Sequence, residues 1–333
     1  MINNQEKEEM KAIRISKPGG VEEMRFEELA TPEPNESQAL VKVAASGVNF
    51  IDVYQRTGLY PVKLPYILGL EAAGVVEKIG SGVAQFKPGD RVAFCGVPGS
   101  YAEFVVAPVE RLVSLPEEID LNTGAAAMLQ GMTAHYLTRD TYRLKPGDRC
   151  LIHAAAGGAG LLLVQMAKLA GAFVIGTVST ESKAQLAREA GADEIILYTE
   201  KDFEPEVMKI TNGKGVNVIY DSVGQATFLK GLNCISRRGM MVLFGQSSGP
   251  VEKIDPLILN TKGSLFLTRP SLFHYIAERA ELTQRAQEFF GWIKDGKIKV
   301  RIDKTFALKD AAAAHRYLES RQSRGKILLT PNR

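Results

Sequence analysis

The chain has 333 residues, 45% of them apolar and 24% charged, with a formal net charge of +3. That length suggests two domains and the composition is that of a soluble globular enzyme. The charge is small and evenly spread, which argues against nucleic acid or an anionic membrane as the main partner. No run approaches the roughly 18 uninterrupted apolar residues of a membrane span, and the polar, acidic start lacks the pattern of a signal peptide. Residues 1–9 read as a disordered lead-in and Met10 as the beginning of folded structure. Cys95, Cys150 and Cys234 lie far apart in apolar surroundings without a spacing motif, as reduced core residues of a cytoplasmic protein do.

In chain order, residues 11 to about 125 read as β-rich. Short apolar runs at 39–44, 74–79, 91–94 and 101–106 are separated by Gly/Pro turns, with one helix near Phe50 to Thr57. From about Gln130 strands and helices alternate. The strands fall at 149–154, 173–178, 194–198, 216–221 and 239–244, and the helices at 160–170, 181–190, 203–211 and 225–235. Gly191 and Gly215 stand where helix ends and pre-strand turns want them. Such alternation predicts a parallel, doubly wound sheet, closed by a sixth strand over Ser264 to Thr268. A long helix from about Phe273 to Lys294, a strand over 298–306, a helix over 309–320 and a last strand over 326–330 return to the β-rich style.

The most informative stretch is His153-Ala-Ala-Ala-Gly-Gly-Ala-Gly160, which follows an apolar strand and opens into an apolar helix. Strand, Gly-rich turn and helix together form a dinucleotide site. Gly157 admits a pyrophosphate to the backbone, Gly160 permits close helix–strand packing, and the helix N-terminus offers free N–H groups. Ala155 replaces the first Gly of the usual pattern. About 20 residues on, where an acid would bind the ribose of NAD, the chain has Ser179, followed by Thr180, Glu181, Ser182 and Lys183. A hydroxyl and an ammonium suit a 2′-phosphate, so the pattern favours NADPH, with Glu181 ambiguous.

These features, with Gly47-Val-Asn-Phe-Ile-Asp-Val-Tyr54, Gly58-Leu-Tyr-Pro61, Gly69-Leu-Glu-Ala-Ala-Gly74, Tyr220-Asp-Ser-Val-Gly224, Phe244-Gly-Gln-Ser-Ser248 and Gly263 to Ser271, resemble the medium-chain dehydrogenase/reductase superfamily. Within it the chain is similar to the zinc-independent quinone oxidoreductases, the group that includes zeta-crystallin. The resemblance implies an α/β protein, with a doubly wound parallel-sheet (Rossmann) nucleotide domain over 130–269 and a β-rich GroES-like catalytic domain over 10–129 with 270–333. Zinc alcohol dehydrogenases of the superfamily carry a Cys near the Asn49 position and a His where this chain has Leu70 before Glu71. Catalytic zinc needs three Cys, His or carboxylate ligands, and the four-Cys structural loop is missing too, so no metal is expected.

Asn49 falls at the start of the helix where the superfamily places its active cleft. Its amide suits a hydrogen bond to a substrate carbonyl or to the nicotinamide ribose, and Asn is equally a common helix N-cap. Tyr54 and Tyr60 are candidate donors of a hydrogen bond or proton, or else packed aromatics. For the cofactor, the resemblance implies Thr133 with Gln130 near the nicotinamide, and Gly157, Gly158, Ala159 and Gly160 as the pyrophosphate turn. It implies Ser179, Lys183 and Tyr198 at the 2′-phosphate end, and Ser222 over the adenine. Phe244, Gln246 and Ser247 follow the fifth strand, where many members have Asn in place of Gln246. Phe266, Leu267 and Thr268 are implied to meet the carboxamide through their backbone, and Arg321 to reach the phosphates. His153 reads as a packed residue.

The expected function is metal-free reduction of a quinone or similar conjugated carbonyl by NADPH. The alternatives are reduction of an enone or enoyl double bond, and a non-enzymatic structural or RNA-binding protein like some zeta-crystallin relatives. The chain lacks the Arg/Lys-aromatic patch that RNA wants. The terminal strand Ser264–Thr268, apolar on both faces at a sheet edge, predicts a homodimer in which Leu265 and Leu267 pair across a two-fold axis.

Overall fold

The computed structural model describes residues 8–331 and divides into two compact units. One comprises the described parts of Met1–Leu129 and Ile302–Arg333 together with Glu278–Lys294. The other comprises Gln130–Ala277 and Asp295–Arg301. The lead-in read over residues 1–9 lies, up to residue 7, outside the described residues, and the first strand is Glu9–Ile15.

The second unit holds a sheet of six parallel strands: Arg149–Ile152, Phe173–Val178, Glu194–Leu197, Val216–Asp221, Ile235–Leu243 and Phe266–Thr268. Numbered by their order in this unit they lie 3-2-1-4-5-6 across the sheet, the doubly wound arrangement that binds dinucleotides where the strand order reverses. Strands covered on both faces need near-continuous apolar runs, and Phe173–Val178 is buried at every position after the first. The helices Gly158–Leu169, Glu181–Glu189, Phe203–Ile210 and Phe228–Cys234 connect the strands. Leu151, Ile175, Val207, Ile219, Phe228 and Met241 belong to one core cluster.

The first unit is built on antiparallel pairing. Gln38–Val48 pairs with Glu71–Ile79, with Phe104–Pro108 and with the last strand, Lys326–Thr330. The last strand sets Ile327 opposite Val48. That register brings the start of the C-terminal strand beside the residues that lead into Asn49. A smaller sheet joins Arg25–Ala30, Glu9–Ile15 and Tyr66–Ile67, and Ile13, Leu68, Tyr101, Leu308 and Ile327 share a core.

Several elements depart from the sequence reading, among them the unread strand Arg25–Ala30 and the strand read over 298–306, which spans Ile302–Ala307. The helix Leu121–Tyr136 is absent from that reading, because Gly124 and Gly131 weaken the helical pattern and the buried stretch Ala125–Ala127 carries no amphipathic signal. The single helix read over 273–294 is two, Leu272–Tyr275 and Arg279–Lys294. It breaks where the chain passes between units, at Ala277/Glu278, so each core takes its own apolar face. The sixth strand spans only Phe266–Thr268. Ser264 is left-handed (φ +57°), and Leu265, 6% exposed, packs into the core of its own unit.

Candidate active site

At the carboxyl end of Arg149–Ile152 the chain turns through Ala154, left-handed at φ +53°, and enters the helix with Gly157 as N-cap. Gly157 has an ordinary φ of −73° and its amide bonds Ala154 O at 2.9 Å. Of the two glycines that follow, Gly160 is fixed by surrounding backbone, and Gly158 faces the movable end of the Gln130 side chain. A Cβ on Gly160 would lie 2.2 Å from Ala154 O, and one on Gly158 would lie 2.0 Å from Gln130 Oε1. The turn thus brings Gln130 to Gly158, in a cradle that side chains would fill. Thr133, one helical turn beyond Gln130, is buried. Ala159 lies in the first turn of the helix.

Ser179 follows the second strand and Thr180 caps the next helix by accepting the amide of Lys183 at 3.3 Å. The amide of Tyr198 bonds Val178 O at 3.1 Å, and Thr199 Oγ1 bonds Ser179 O at 3.0 Å. Strand pairing therefore gathers Ser179, Lys183 and Tyr198 at one end of the sheet. Glu181 is turned to Arg188 Nη1 at 2.5 Å, in an exposed pair. Its carboxylate is committed to a partner along the helix.

The loops after the fourth and fifth strands are laced together. Asp221, fully buried, accepts the amides of Val223 and Gly224 at 2.7 and 3.0 Å and the hydroxyl of Thr227. Phe244 N bonds Asp221 O at 2.8 Å and Ser247 N bonds Ser222 O at 3.1 Å. Gly224 packs on the backbone of Gln246, where a Cβ would stand 3.0 Å from its Cα. Ser222, Phe244, Gln246 and Ser247 are thereby brought to one rim. Phe266–Thr268 pairs with Met240–Val242 on one side only, which leaves a row of backbone groups unpaired on the other.

In the first unit Asn49 is the N-cap of the helix Phe50–Thr57. Its amide nitrogen Nδ2 donates to Gly47 O at 3.2 Å and Glu71 Oε2 at 2.8 Å, and Oδ1 accepts from Lys326 Nζ at 2.7 Å. An amide has two N–H donors, so donation to a substrate would require breaking one of these bonds. Lys326 also pairs with Glu71, whose Oε1 accepts the amide of Leu129 at 2.5 Å. One helical turn beyond Asn49, Tyr54 is buried. Gly58 (φ +81°) then reverses the chain so that Tyr60 N bonds Tyr54 O at 3.0 Å. The two rings meet edge to face at 5.2 Å.

Below them runs a second polar chain. Asp52 Oδ2 accepts the amide of Asn49 at 2.8 Å and the hydroxyl of Tyr101 at 3.0 Å. Tyr101 Oη is 3.2 Å from His315 Nε2, and His315 Nδ1 is 3.3 Å from Arg56 Nη1. Arg56 in turn makes a two-pronged pair with Glu319 at 2.9 and 3.0 Å. Guanidinium can only donate, so a neutral His315 carries its proton on Nε2 and donates to Tyr101, which donates to Asp52. Burial pushes the Asp52 carboxyl up to about 7, against the pull of the Asn49 amide, Tyr101 and the Lys326 charge. Burial, reinforced by Arg56, pushes the His315 imidazole down to about 3.

The sequence matches the alcohol dehydrogenase GroES-like domain over residues 35–117 and the zinc-binding dehydrogenase family over 158–291. It is 47% identical over 323 residues to quinone oxidoreductase 1 of Escherichia coli (strain K12), covering 96% of this chain and 99% of that one. It is 43% identical over 330 residues to a 2-haloacrylate reductase of Burkholderia sp, covering 96% of this chain and 98% of that one. The chain belongs to the zinc-independent quinone oxidoreductases of the medium-chain dehydrogenase/reductase superfamily. The crystal structure of the Escherichia coli quinone oxidoreductase complexed with NADPH superimposes with a TM-score of 0.94 at 47% identity, over 96% of this chain and 100% of that one. The quinone oxidoreductase of Pseudomonas syringae pv. Tomato DC3000 matches equally well, at 44% identity over 97% of this chain and all of that one. The α/β architecture read from the sequence is the family's own.

Residues 158–291 contain one histidine, His274, and one cysteine, Cys234. Among the described residues no three His, Cys, Asp or Glu side chains group as a metal site.

Sequence reasoning leaves Asp52, Arg56, Tyr101, His315 and Lys326 unremarked and treats Glu71 only as a marker beside Leu70. The one local signal is the Asn49–Asp52 spacing, since a carboxylate at the third helical position reaches back to the N-cap amide. His315 reaches Arg56 and Tyr101, and Lys326 reaches Glu71, only by the packing of segments more than 200 residues apart in the chain. Arg321 follows the helix Ala311–Glu319 in a left-handed conformation (φ +59°), its amide bonding Leu318 O at 3.2 Å. His153 is buried against Phe203 and 2.9 Å from Thr177 Oγ1.

Proposed function

We propose that this protein passes reducing equivalents from NADPH to a quinone or similar conjugated carbonyl without a metal. The observation that carries this reading is the gathering of Ser179, Lys183 and Tyr198 at the carboxyl end of a 3-2-1-4-5-6 sheet, in a chain 47% identical to quinone oxidoreductase 1 of Escherichia coli. The Gly158/Gly160 cradle and the open N-terminus of Gly158–Leu169 fit a pyrophosphate. Lys183 and Ser179 fit a 2′-phosphate by charge and hydrogen bonding, with Tyr198 beside them. Ser222 bounds the adenine side. Gln130, Thr133 and the backbone of Phe244–Ser247 and Phe266–Thr268 orient the nicotinamide, and Arg321 adds charge for the phosphates.

Bound NADPH supplies the hydride. The first unit is the catalytic domain and the second the nucleotide domain. Asn49 caps the helix that presents Tyr54, and Tyr54 and Tyr60 hold the acceptor, either phenol suiting the reduced oxygen as a hydrogen-bond or proton donor. The cysteines take no part, because burial pushes the Cys95, Cys150 and Cys234 thiols up. All three are free and buried, as suits a reducing, cytoplasmic location. No helix among the described residues is long and apolar enough to cross a membrane.

The test is a titration with NADPH and NADH followed by turnover of a quinone panel. Failure to reduce any quinone at saturating NADPH sinks the reading. A second reading, reduction of an activated carbon–carbon double bond, is favoured by the similarity to 2-haloacrylate reductase and by the paired phenols Tyr54 and Tyr60. Turnover of enones in preference to quinones would establish it.

The homodimer forms through the edge strand Phe266–Thr268. Phe266 is 58% and Leu267 37% exposed, an apolar edge that a two-fold copy would cover. Leu265 belongs to the core, so the proposed contact is Phe266 with Leu267, not Leu265 with Leu267. Leu267→Asp is expected to give monomers by light scattering. A monomeric unmodified protein at micromolar concentration would remove this element.

A further inference from the structure

The first unit buries an ion pair that the hydride chemistry described above does not use. Lys326 and Glu71 have side chains 1% and 0% exposed. A buried pair of this kind costs desolvation that its attraction barely recovers, and apolar residues of similar volume often serve stability as well or better. The surrounding chain is shaped to keep it. A Cβ on Gly47 would lie 2.1 Å from Glu71 Oε2 and 2.6 Å from Lys326 Cε, so any larger residue there would displace the ends of both buried side chains. Ser100 Oγ accepts the Glu71 amide at 3.2 Å, and the Ser46 hydroxyl donates to Ser100 O, bracing the strand from which Glu71 projects.

Both members of the pair converge on one side chain. The amide of Asn49 is pseudo-symmetric, and its two ends are set by whichever partners it meets. Here the ammonium faces Oδ1 at 2.7 Å and the carboxylate faces Nδ2 at 2.8 Å, while Gly47 O takes the other amide hydrogen at 3.2 Å. A flip would place NH2 against ammonium and oxygen against carboxylate, so the pair forbids it. The ammonium also polarises the amide oxygen, and its charge reaches Asp52, which holds the backbone of the same residue.

We propose that Lys326 and Glu71 are positioning residues that lock the Asn49 amide in one orientation, and that quinone turnover depends on that setting. The proposal rests on the quinone reductase reading for its kinetic arm only. The paired variant Glu71→Gln with Lys326→Met leaves no buried unpaired charge. It is compared with Asn49→Ala and with the triple variant, by thermal unfolding, NADPH binding and quinone kcat and KM.

A misplaced positioning group costs roughly 10- to 100-fold in rate. The paired variant is expected to lose that much kcat while binding NADPH within about twofold of the parent, as no phosphate or ring contact is removed. In the Asn49→Ala background the pair's removal should add less than about twofold, because residues acting through one side chain are not additive. Unchanged kcat in the paired variant, or losses that multiply in the triple variant, overturns the proposal. A second measurement needs no variant and no turnover. In the unmodified enzyme both hydrogens of the Asn49 side-chain NH2, held by Gly47 O and Glu71, should be protected from hydrogen exchange. Exchange of both hydrogens as fast as in an exposed amide overturns the proposal even where quinone turnover is normal. Protection in an enzyme that reduces no quinone upholds the locked amide and faults the assigned reaction instead.

Discussion

The two units handle polar groups in opposite ways. The nucleotide unit collects its proposed binding groups at the ends of strands, half exposed, with backbone amides, a glycine turn and loops laced by Asp221. Its ion pairs, such as Glu181–Arg188 and Asp202–Lys230, lie on the surface. The β-rich unit buries Asp52, Arg56, Glu71, His315 and Lys326 in two connected chains that meet at Asn49. A site made from backbone can be assembled by one strand–turn–helix segment. A site made from buried charges must complete its neutralisation with residues from several elements, or the desolvation cost stands uncompensated.

The largest test of this contrast is stability. Glu71→Ala leaves the Lys326 ammonium buried and unpaired and should cost about 3–5 kcal/mol in denaturant unfolding. A loss no greater than that of a surface pair would remove the distinction between the units.

The pH dependence sharpens it next. Asp52, raised from 3.8 to about 7, keeps its proton in the folded state while the unfolded carboxyl loses it. Its contribution to stability therefore falls as pH rises from about 4 to about 7, by about 1.4 kcal/mol per pH unit at most. His315, lowered from 6.5 to about 3, stays neutral while the unfolded ring gains a proton, so its contribution falls as pH drops from about 6.5 to about 3. In the parent the two slopes oppose one another over most of that window. Asp52→Asn should expose stability that rises with pH, and His315→Gln stability that falls with pH. Parallel unfolding profiles for the two variants would contradict the arrangement.

On the nucleotide side the effect is in affinity rather than in folding. Lys183→Ala should weaken NADPH binding about 10-fold, since a charge-assisted contact contributes about 1.5–3 kcal/mol and this one is partly exposed. NADH binding should barely change, and Ser179→Asp should shift preference towards NADH. Equal losses for both cofactors in fluorescence titrations would refute the 2′-phosphate assignment. The smallest effect belongs to Glu181→Ala, about 0–1 kcal/mol of stability, because its partner Arg188 is a solvated surface charge.

Legibility followed the same division. The strand–turn–helix at 149–169, the alternation that follows it, the helix at 50–57 and the last strand at 326–330 stand close to where periodicity and turn residues put them. Asn49, Tyr54 and Tyr60 are visible because they share one short segment. The helix Leu121–Tyr136 escapes because it is small-residue and buried, without a polar face to mark its period. Leu265 and Leu267 look equivalent in a run of apolar residues, yet one is core and the other exposed. The left-handed Ser264 shortens the strand and decides which residue turns inward.

The sequence by itself determined the alternation of strand and helix, the glycine-rich strand–turn–helix, the place of Ser179 and Lys183 after the second strand, and the family. All of these are properties of contiguous residues whose backbone conformations are set locally. Only the tertiary structure decided that Lys326 and Glu71 meet at Asn49, that Tyr101 links His315 to Asp52, and that Phe266 and Leu267 form the exposed edge. A buried charge is tolerated only with its partner in place. That partner is chosen by strand register and packing across the whole chain, which no local pattern of residues records.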